Sequence, residues 1–252
     1  MFTSGILART DVLFHLAWST VPITSEQQPG LEWQVDLPAL AGLLQAISKD
    51  EIRKRIHFIF FSSGGTVYGN ATGRPSNEND PVAPRGWHGS GKVAAEHLIN
   101  QFAAMTRLHS TILRLSNPFG FPSIEHRPKG AKPLIIRAAY SDEPFKVLGD
   151  GNARKDFIYY ADMTAAVEAI IEQGLTGIFD ISAGNSYSIR EVAAEIERLT
   201  ERQVNLTCSH EYAWDVTISL IDSTLLRSKA GWTPVVPLQE GLKRTIKLIG
   251  NC

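Results

Sequence analysis

Cysteine is almost absent from this sequence, which has only Cys208 and Cys252 among its 252 residues. Two cysteines, one of them the last residue, are too few for a disulfide framework or a cysteine zinc site. An excess of either charge is also lacking, because 25 Lys and Arg stand against 26 Asp and Glu. This balance argues against binding to nucleic acid or to an anionic membrane.

Long apolar runs are missing as well. No stretch approaches the ~20 apolar residues that cross a bilayer. The amino terminus has no charged region leading into a long apolar core, as a signal peptide would. We therefore expect a cytoplasmic protein without a membrane segment. With 43% hydrophobic residues, the chain can bury one large core, or one core and a small second lobe.

What is present is an alternation of strands and helices. Residues 12–18 (VLFHLAW) and 57–63 (HFIFFSS) are apolar runs typical of parallel strands buried on both faces. Four apolar residues between these runs recur at helical spacing: Leu40, Leu43, Leu44 and Ile47. A second helix over residues 92–104 and a strand over residues 110–116 continue the alternation. The pattern predicts the α/β class, with a doubly wound parallel sheet.

The pattern changes after about Asn117, where prolines interrupt it and shorter elements follow. A capping box from Ser188 to Glu191 predicts the start of an amphipathic helix. A further helix is predicted between a cap at Asp222 and a stop at Gly231. These segments predict a smaller lobe folded over the ends of the parallel strands, and ligands of such sheets bind in that cleft.

Three short motifs follow one another in the predicted cleft: FFSSGGTVYGN at the end of one strand, HGSGK at the start of a helix, and LRLSNPFG at the end of the next strand. In this order they resemble the extended short-chain dehydrogenase/reductase superfamily, in particular its NAD-dependent sugar-nucleotide epimerases and dehydratases, such as the UDP-hexose 4-epimerases. The similarity runs from Asp11 almost to the end. It implies a Rossmann-like dinucleotide-binding domain over residues 1–116 and a mainly substrate-binding lobe over 117–252, with segments of about 145–182 returning to the sheet.

The resemblance also implies the site. A nicotinamide takes hydride from a sugar carbon when a base removes the hydroxyl proton, and the cofactor implied is NAD. The implied catalytic residues are Lys92, His88, Thr66 and Ser63. The implied cofactor contacts are Leu16, Ala17, Ser62, Ser63, Lys92 and Leu115. The implied contacts to a nucleotide-sugar are Thr66, Asn117, Leu148, Arg154 and Lys155, with no metal.

Several positions depart from the family pattern. His88 stands where the family has its catalytic Tyr, and Lys92 lowers the pKa of the neighbouring imidazole, so we expect His88 to be neutral at pH 7. His88 is therefore either a working base or a residue that only fills the site. Gly64 falls on the position of the catalytic Ser or Thr. Lys155 and Tyr212 replace arginines that clamp the diphosphate, although Arg154 is available nearby.

The largest departure is at the front, where the chain starts at what looks like the fourth strand of the family. Roughly 60 residues, or two β-α-β units with the glycine-rich turn, are expected to be absent, and the strand at Val12 is then expected to be an exposed apolar edge. We therefore expect NAD to bind with a dissociation constant weaker than ~1 mM, and the activity of the chain to be impaired. A start of translation further upstream would be an alternative explanation.

Three kinds of function stay open from the sequence. The first is an isomerase of the UDP-hexose 4-epimerase type. The second is a dehydratase or 4-keto reductase of the same family, although the dehydratases usually carry an acidic residue where this chain has Gly65 and Thr66. The third is a non-catalytic relative that binds a nucleotide-sugar or a protein partner. Many members of the family dimerise through the helix that carries Lys92, so a homodimer is expected.

Overall fold

The computed structural model describes residues 4–7, 9–49, 52, 55–120, 135–136, 138–140 and 144–249. Its strands are β1 (Val12–His15), β2 (His57–Ser63), β3 (His109–Leu115), β4 (Asn117–Phe119), β5 (Phe145–Val147), β6 (Arg154–Tyr159), β7 (Gly177–Ile181), β8 (Ser186–Ser188) and β9 (Leu206–Cys208). Its helices are α1 (Ser4–Leu7), α2 (Pro22–Gln27), α3 (Leu37–Ile47), α4 (Gly64–Val67), α5 (Trp87–Thr106), α6 (Tyr160–Glu172), α7 (Ile189–Thr200), α8 (Thr224–Ala230) and α9 (Leu238–Ile249). A π-helical turn, Glu32–Asp36, leads directly into α3.

Four parallel strands in the order β1-β2-β3-β7 form the central sheet. Side chains of β2 alternate between its two faces. Phe58 and Phe60 pack in one core with residues of α3 and α5, and Ile59 packs in another core with residues of α6 and α8. Helices therefore cover both faces, which confirms the predicted α/β class and the doubly wound sheet.

The first strand is an exposed edge, as predicted above for the strand at Val12. The apolar run over residues 12–18 is typical of a strand buried on both faces, but β1 ends at His15, and Phe14 is 43% exposed and Leu16 63% exposed. Within the described residues β1 pairs only with β2, so it is an edge of the sheet. An apolar run alone does not distinguish a central strand from an edge strand, because both need the same β-forming residues.

Helices α3 and α5 lie side by side on one face of the sheet. The four apolar residues predicted for α3 are all buried, and Pro38 stands in the first turn, where its missing N–H costs nothing. In α5, Ala95 and Ile99 are buried against the sheet, whereas Ala94 and Leu98 line an outer groove. Helix α5 therefore carries two apolar faces, and its first turn contains His88.

The second lobe is built from small sheets, β4-β6-β8 and β5-β9. Its predicted capping box is confirmed, since Ser188 accepts from the Glu191 backbone N–H and the Glu191 carboxylate accepts from the Ser188 N–H. Helix α8 ends at Gly231, which has a left-handed φ of 66°. Strand β7 returns to the main sheet beside β3, and the boundary at residue 116 stays a prediction.

The described residues contain neither a membrane-spanning helix nor a cluster of metal ligands. No described helix combines the length and the apolar character that crossing a bilayer requires. Over the same residues, no group of three or more His, Cys, Asp or Glu side chains could hold a metal ion. Cys208 is a free, exposed cysteine, and Cys252 lies outside the described residues.

Candidate active site

The first turn of α5 packs very closely on two neighbouring segments. A Cβ on Gly89 would lie 2.7 Å from the Thr66 carbonyl oxygen, and a Cβ on Gly91 would lie 2.8 Å from Cβ of Glu32. Both distances are shorter than real Cβ contacts, so this approach requires glycine at the two positions. Gly89 and Gly91 of the HGSGK motif therefore hold His88 and Lys92 against the turn after β2 and against Glu32.

Lys92 is almost completely covered, with 7% of its surface exposed. Its Nζ donates to the Phe61 carbonyl oxygen at 2.9 Å and lies 3.9 Å from the centre of the Trp18 indole and 4.8 Å from that of the Phe60 ring. Burial lowers the pKa of the ammonium to about 7, although Asp36 and Glu96 oppose the change. Near neutral pH this side chain therefore carries only part of its usual positive charge.

His88 is half-buried one helical turn before Lys92. Burial, and secondly the charge of Lys92, lowers the pKa of the imidazole to about 4, while Glu32 acts in the opposite direction. The imidazole is therefore neutral at pH 7, as the sequence predicted, with burial as the larger cause. Its Nδ1 lies 3.4 Å from Oγ1 of Thr20. In the described part of the chain Nε2 makes no hydrogen bond.

A buried carboxylate lies behind Thr20. Glu32 is fully buried, and its Oε1 accepts hydrogen bonds from the hydroxyls of Thr20 and Ser25, each at 2.5 Å. Burial works against ionisation, but these two bonds outweigh it and lower the pKa of Glu32. Asp36, one turn further on, accepts from the backbone N–H of Ser19 at 2.9 Å and from its hydroxyl at 2.6 Å.

Sequence reasoning missed Thr20, Ser25 and Glu32 as site residues. They belong to a segment without clear periodicity, and Thr20 meets His88 across 68 residues of chain. No local sequence pattern singles out these three residues. In the structure, a π-helical turn places Glu32 and Asp36 on the side of the site that faces α5.

The family resemblance places a hydroxyl side chain at Gly64, and the structure shows which atoms lie beside this glycine. A Cβ built on Gly64 would lie 2.4 Å from Cδ1 of Ile221 and 3.1 Å from the Arg114 carbonyl oxygen. Ile221 is 1% exposed and packs with Val67 and Tyr68. An apolar side chain therefore stands where the family resemblance places a hydroxyl.

Polar groups without partners collect on the other side of this turn. The hydroxyls of Thr66 and Ser219 are buried and make no hydrogen bond with the described residues. A Cβ on Gly65 would lie 3.6 Å from both the Ser219 Oγ and the Asn117 Nδ2. The Asn117 amide donates to the Asp156 carbonyl oxygen at 2.8 Å. Buried hydroxyls without partners are costly unless a ligand or water completes them, so this group fits a polyhydroxy ligand.

Ser219 reaches this position through pairing with β6. Its backbone N–H donates to the Arg154 carbonyl oxygen at 2.9 Å, and its carbonyl oxygen accepts from the Asp156 N–H at 3.0 Å. The sequence gave no sign of Ser219, because the segment around it is too short and irregular to predict. Thr66 and Asn117 were predicted as substrate contacts, and the structure brings them to the same turn.

Ser62 takes part in a buried network instead of facing the cleft. Its hydroxyl donates to Glu96 at 2.5 Å, and Glu96 forms a salt bridge with Arg114 at 2.6 Å. Arg114 donates to the Tyr68 hydroxyl, which donates to Asp180, each at 2.8 Å. Burial raises the pKa of Asp180 to about 8, with the charge of Glu78 as the next cause. The network joins β2, α5, β3 and β7 beneath the site.

The other predicted cofactor contacts differ in exposure. Leu16 and Ala17 are exposed just beyond β1, Ser63 is half-buried at the end of β2, and Leu115 is buried at the end of β3. All four lie at the carboxyl ends of parallel strands, which is where ligands of such sheets bind. Their cofactor role stays a prediction.

The predicted diphosphate contacts are engaged with other groups. Arg154 forms a salt bridge with Glu191 at 2.9 Å and donates to the Ser186 carbonyl oxygen at 2.6 Å. Lys155 forms a salt bridge with Asp215 at 2.8 Å and also donates to the Val216 carbonyl oxygen. Leu148 is half-buried after β5. Binding of a diphosphate by either cation would require these pairs to rearrange.

The fold and the position of this site define a Rossmann-like α/β protein with a polar cleft at the strand ends. The model of the NAD dependent epimerase/dehydratase family matches residues 4–182. This chain belongs to that family.

Similar proteins agree with this assignment. The chain is 28% identical to UDP-glucose 4-epimerase from Mycolicibacterium smegmatis, over 98% of this chain and 79% of that protein. It is 29% identical to dTDP-4-dehydro-6-deoxyglucose reductase from Escherichia coli, over 97% and 77%. Among solved structures, UDP-glucose 4-epimerase from Thermotoga maritima with UDP-glucose matches at 25% identity and a TM-score of 0.87, covering 98% of this chain and 82% of that one. MoeE5 with UDP-glucose and NAD matches at 26% identity and a TM-score of 0.89, with the same coverage.

NAD, the cofactor in the name of the family, can be tested against the side chains present. The exposed pair Leu16 and Ala17 offers an apolar surface beside the strand ends, and Ser63 adds a hydroxyl. Lys92 donates a hydrogen bond to the Phe61 carbonyl oxygen, and Ser62 donates one to the Glu96 carboxylate. Leu16, Ala17 and Ser63 therefore fit the nicotinamide end of NAD. Lys92 and Ser62 do not fit it in their present conformations, because their polar groups already bond to other residues.

Proposed function

We propose that this chain is a nucleotide-sugar epimerase of the UDP-hexose 4-epimerase type, in which His88 is the proton acceptor. The observation that carries the proposal is the contact of His88 Nδ1 with Thr20 Oγ1 at the start of α5, which leaves Nε2 without a partner among the described residues. Burial lowers the pKa of this imidazole to about 4, which favours the neutral form. A neutral imidazole can take the hydroxyl proton of a sugar, which is the task of a general base. The names of the relatives support a nucleotide-sugar as the substrate.

Each residue of the site would have a definite task. The sugar would bind at the hydroxyls of Thr66 and Ser219 and at the Asn117 amide, which fix its orientation. NAD, when bound, would supply the hydride acceptor for the sugar carbon. His88 would take the hydroxyl proton at Nε2 and would give it back in the reverse proton transfer. The Lys92 ammonium, which lies over the Trp18 indole, would stand beside the proton acceptor.

The turn after β2 favours an epimerase or reductase over a dehydratase. The three atoms nearest to a Cβ on Gly65 belong to Asn117 and Ser219, and none belongs to an acidic residue. The family resemblance implies that a dehydratase carries an acidic residue at this point, which would protonate the leaving hydroxyl. The polar side chains around this turn can orient a sugar but do not supply that proton.

A non-catalytic nucleotide-sugar binder is the second candidate. The observation that favours it is that Cδ1 of Ile221 fills the space beside Gly64, where a hydroxyl was expected to orient the substrate.

One experiment distinguishes the two functions. The chain is incubated with UDP-glucose and millimolar NAD, and the sugar nucleotides are separated by anion-exchange chromatography. Formation of UDP-galactose supports the epimerase, whereas saturable binding of UDP-glucose without any product supports the second candidate.

The outer faces of α3 and α5 form the surface that we propose for a homodimer. A groove of about 440 Å³ lies between the two helices. Its lining includes Trp33, Leu37, Ala41, Ala94 and Leu98. A second copy would bury these apolar groups. Light scattering should give twice the chain mass for the unaltered protein and one chain mass for Leu98→Glu, whereas the control Met105→Glu places the same charge on an exposed position of α5 and should leave the dimer intact.

A further inference from the structure

Thr20 stands between the imidazole of His88 and the buried carboxylate of Glu32. Its Oγ1 lies 3.4 Å from Nδ1 of His88 and 2.5 Å from Oε1 of Glu32. Thr20 is 5% exposed and Glu32 is fully buried, so water does not replace either contact. The three side chains come from a loop, a π-helical turn and the first turn of α5, and they form a line that ends at the site.

The hydrogens available for the two contacts between Glu32, Thr20 and His88 decide which ring nitrogen of His88 carries its hydrogen. A threonine hydroxyl has one hydrogen, and an ionised carboxylate can only accept. The pKa of Glu32 is lowered, so its contact with Thr20 must contain the hydroxyl hydrogen. Because the hydroxyl hydrogen points to Glu32, the hydrogen between Thr20 and His88 must be the one on Nδ1. A neutral imidazole with its hydrogen on Nδ1 has a free electron pair on Nε2.

We propose that Thr20 and Glu32 are positioning residues that hold His88 as the Nδ1–H tautomer, so that Nε2 is the proton acceptor of the site. In the opposite tautomer Nε2 would carry a hydrogen and could not accept one. The proton transfer breaks the O–H bond of the sugar hydroxyl and forms an N–H bond at Nε2, and the electron pair stays on the oxygen. The imidazolium keeps its Nδ1 contact to Thr20, and the negative charge of Glu32 compensates the new positive charge.

Glu32 is needed because the surroundings of His88 disfavour its protonated form. Burial and Lys92 both lower the pKa of the imidazole, and Glu32 is the charge that raises it. Removal of the Glu32 charge would make Nε2 a still weaker base. This inference rests on the proposed function only in naming a sugar hydroxyl as the group that gives up the proton. The tautomer itself is a property of the chain without substrate.

The tautomer can be measured directly by NMR on the full ¹⁵N-labelled chain, through the long-range correlations of the His88 ring, assigned by their loss in His88→Gln. We expect the Nδ1–H form in the unaltered chain. Thr20→Val keeps the shape of the side chain but removes the hydroxyl, and the Nε2–H form should then rise to at least about half. Thr20→Ser should restore the Nδ1–H form. Ser25→Ala is the matched control, because it removes the other hydroxyl from the same Glu32 oxygen without touching His88.

Two results would overturn the inference: the Nε2–H form in the unaltered chain, or a response of Ser25→Ala as large as that of Thr20→Val. The unaltered chain decides the question even if the Val variant does not fold. No sugar nucleotide or NAD is present in this measurement, so failure of the proposed function and failure of the tautomer assignment can be told apart. A chain without turnover could still show the Nδ1–H form, and an active chain could show the other.

Discussion

Replacing Lys92 by Met should change how stability depends on pH. Burial lowers the pKa of Lys92 from 10.5 to about 7 in the folded chain, with Asp36 and Glu96 in partial opposition. Between these values the unfolded chain holds a proton at Lys92 that the folded chain has released. The free energy of unfolding therefore rises with pH in this window. With pKa values of about 7 and 10.5, the rise between pH 7 and pH 9 is about 2.3 kcal/mol.

The free energy of unfolding is measured with urea at pH 7, 8 and 9 for the unaltered chain and for Lys92→Met. The difference between the two proteins gives the contribution of Lys92 to the pH dependence. Burial, and secondly the charge of Lys92, lowers the pKa of the nearby imidazoles of His88 and His15 in the folded chain, that of His88 to about 4. We expect the difference in unfolding free energy to move by about 2.3 kcal/mol in favour of the unaltered chain from pH 7 to pH 9. Parallel stability profiles would show that Lys92 keeps an ordinary pKa and would refute the reasoning.

Three further substitutions test the packing and the network beneath the site. Gly64→Ser should lower the free energy of unfolding by about 1–3 kcal/mol because its Cβ meets Ile221. Adding Ile221→Val, which lacks Cδ1, should recover part of this loss in urea unfolding. Strictly additive effects of the two substitutions would contradict the contact. Glu96→Gln should cost about 3–5 kcal/mol, since it leaves the buried Arg114 charge without its partner. Asp180→Asn should cost less than about 1 kcal/mol at pH 7, because a pKa of about 8 already keeps that carboxyl mostly neutral. Equal losses for the last two would contradict the assigned charges.

The parts of the fold that could be predicted from the sequence are those decided by local pattern. The apolar runs of β2 and β3, the helical spacing of α3 and the capping box at Ser188 each depend on residues close together in the chain. The exposure of Phe14 and Leu16 does not follow from the apolar run itself and was predicted only through the family resemblance, because it depends on which strands lie next to β1.

The candidate site could be predicted only where a motif names its residues. His88 and Lys92 stand in one turn of α5, and their spacing in the sequence is their spacing in space. The partner of His88 is Thr20, which is 68 residues away. The hydrophobic group at Gly64 comes from Ile221 in the second lobe. Such contacts follow from tertiary packing, which local periodicity does not contain.

The rate of conversion of UDP-glucose to UDP-galactose by the unaltered chain, divided by the rate of His88→Gln, tests the central claim most directly. Both proteins are measured at the same pH with saturating UDP-glucose and millimolar NAD. If His88 is the proton acceptor, the variant should be slower by at least ~100-fold, since glutamine has no basic nitrogen. Equal rates for the two proteins would contradict the claim that His88 takes the proton.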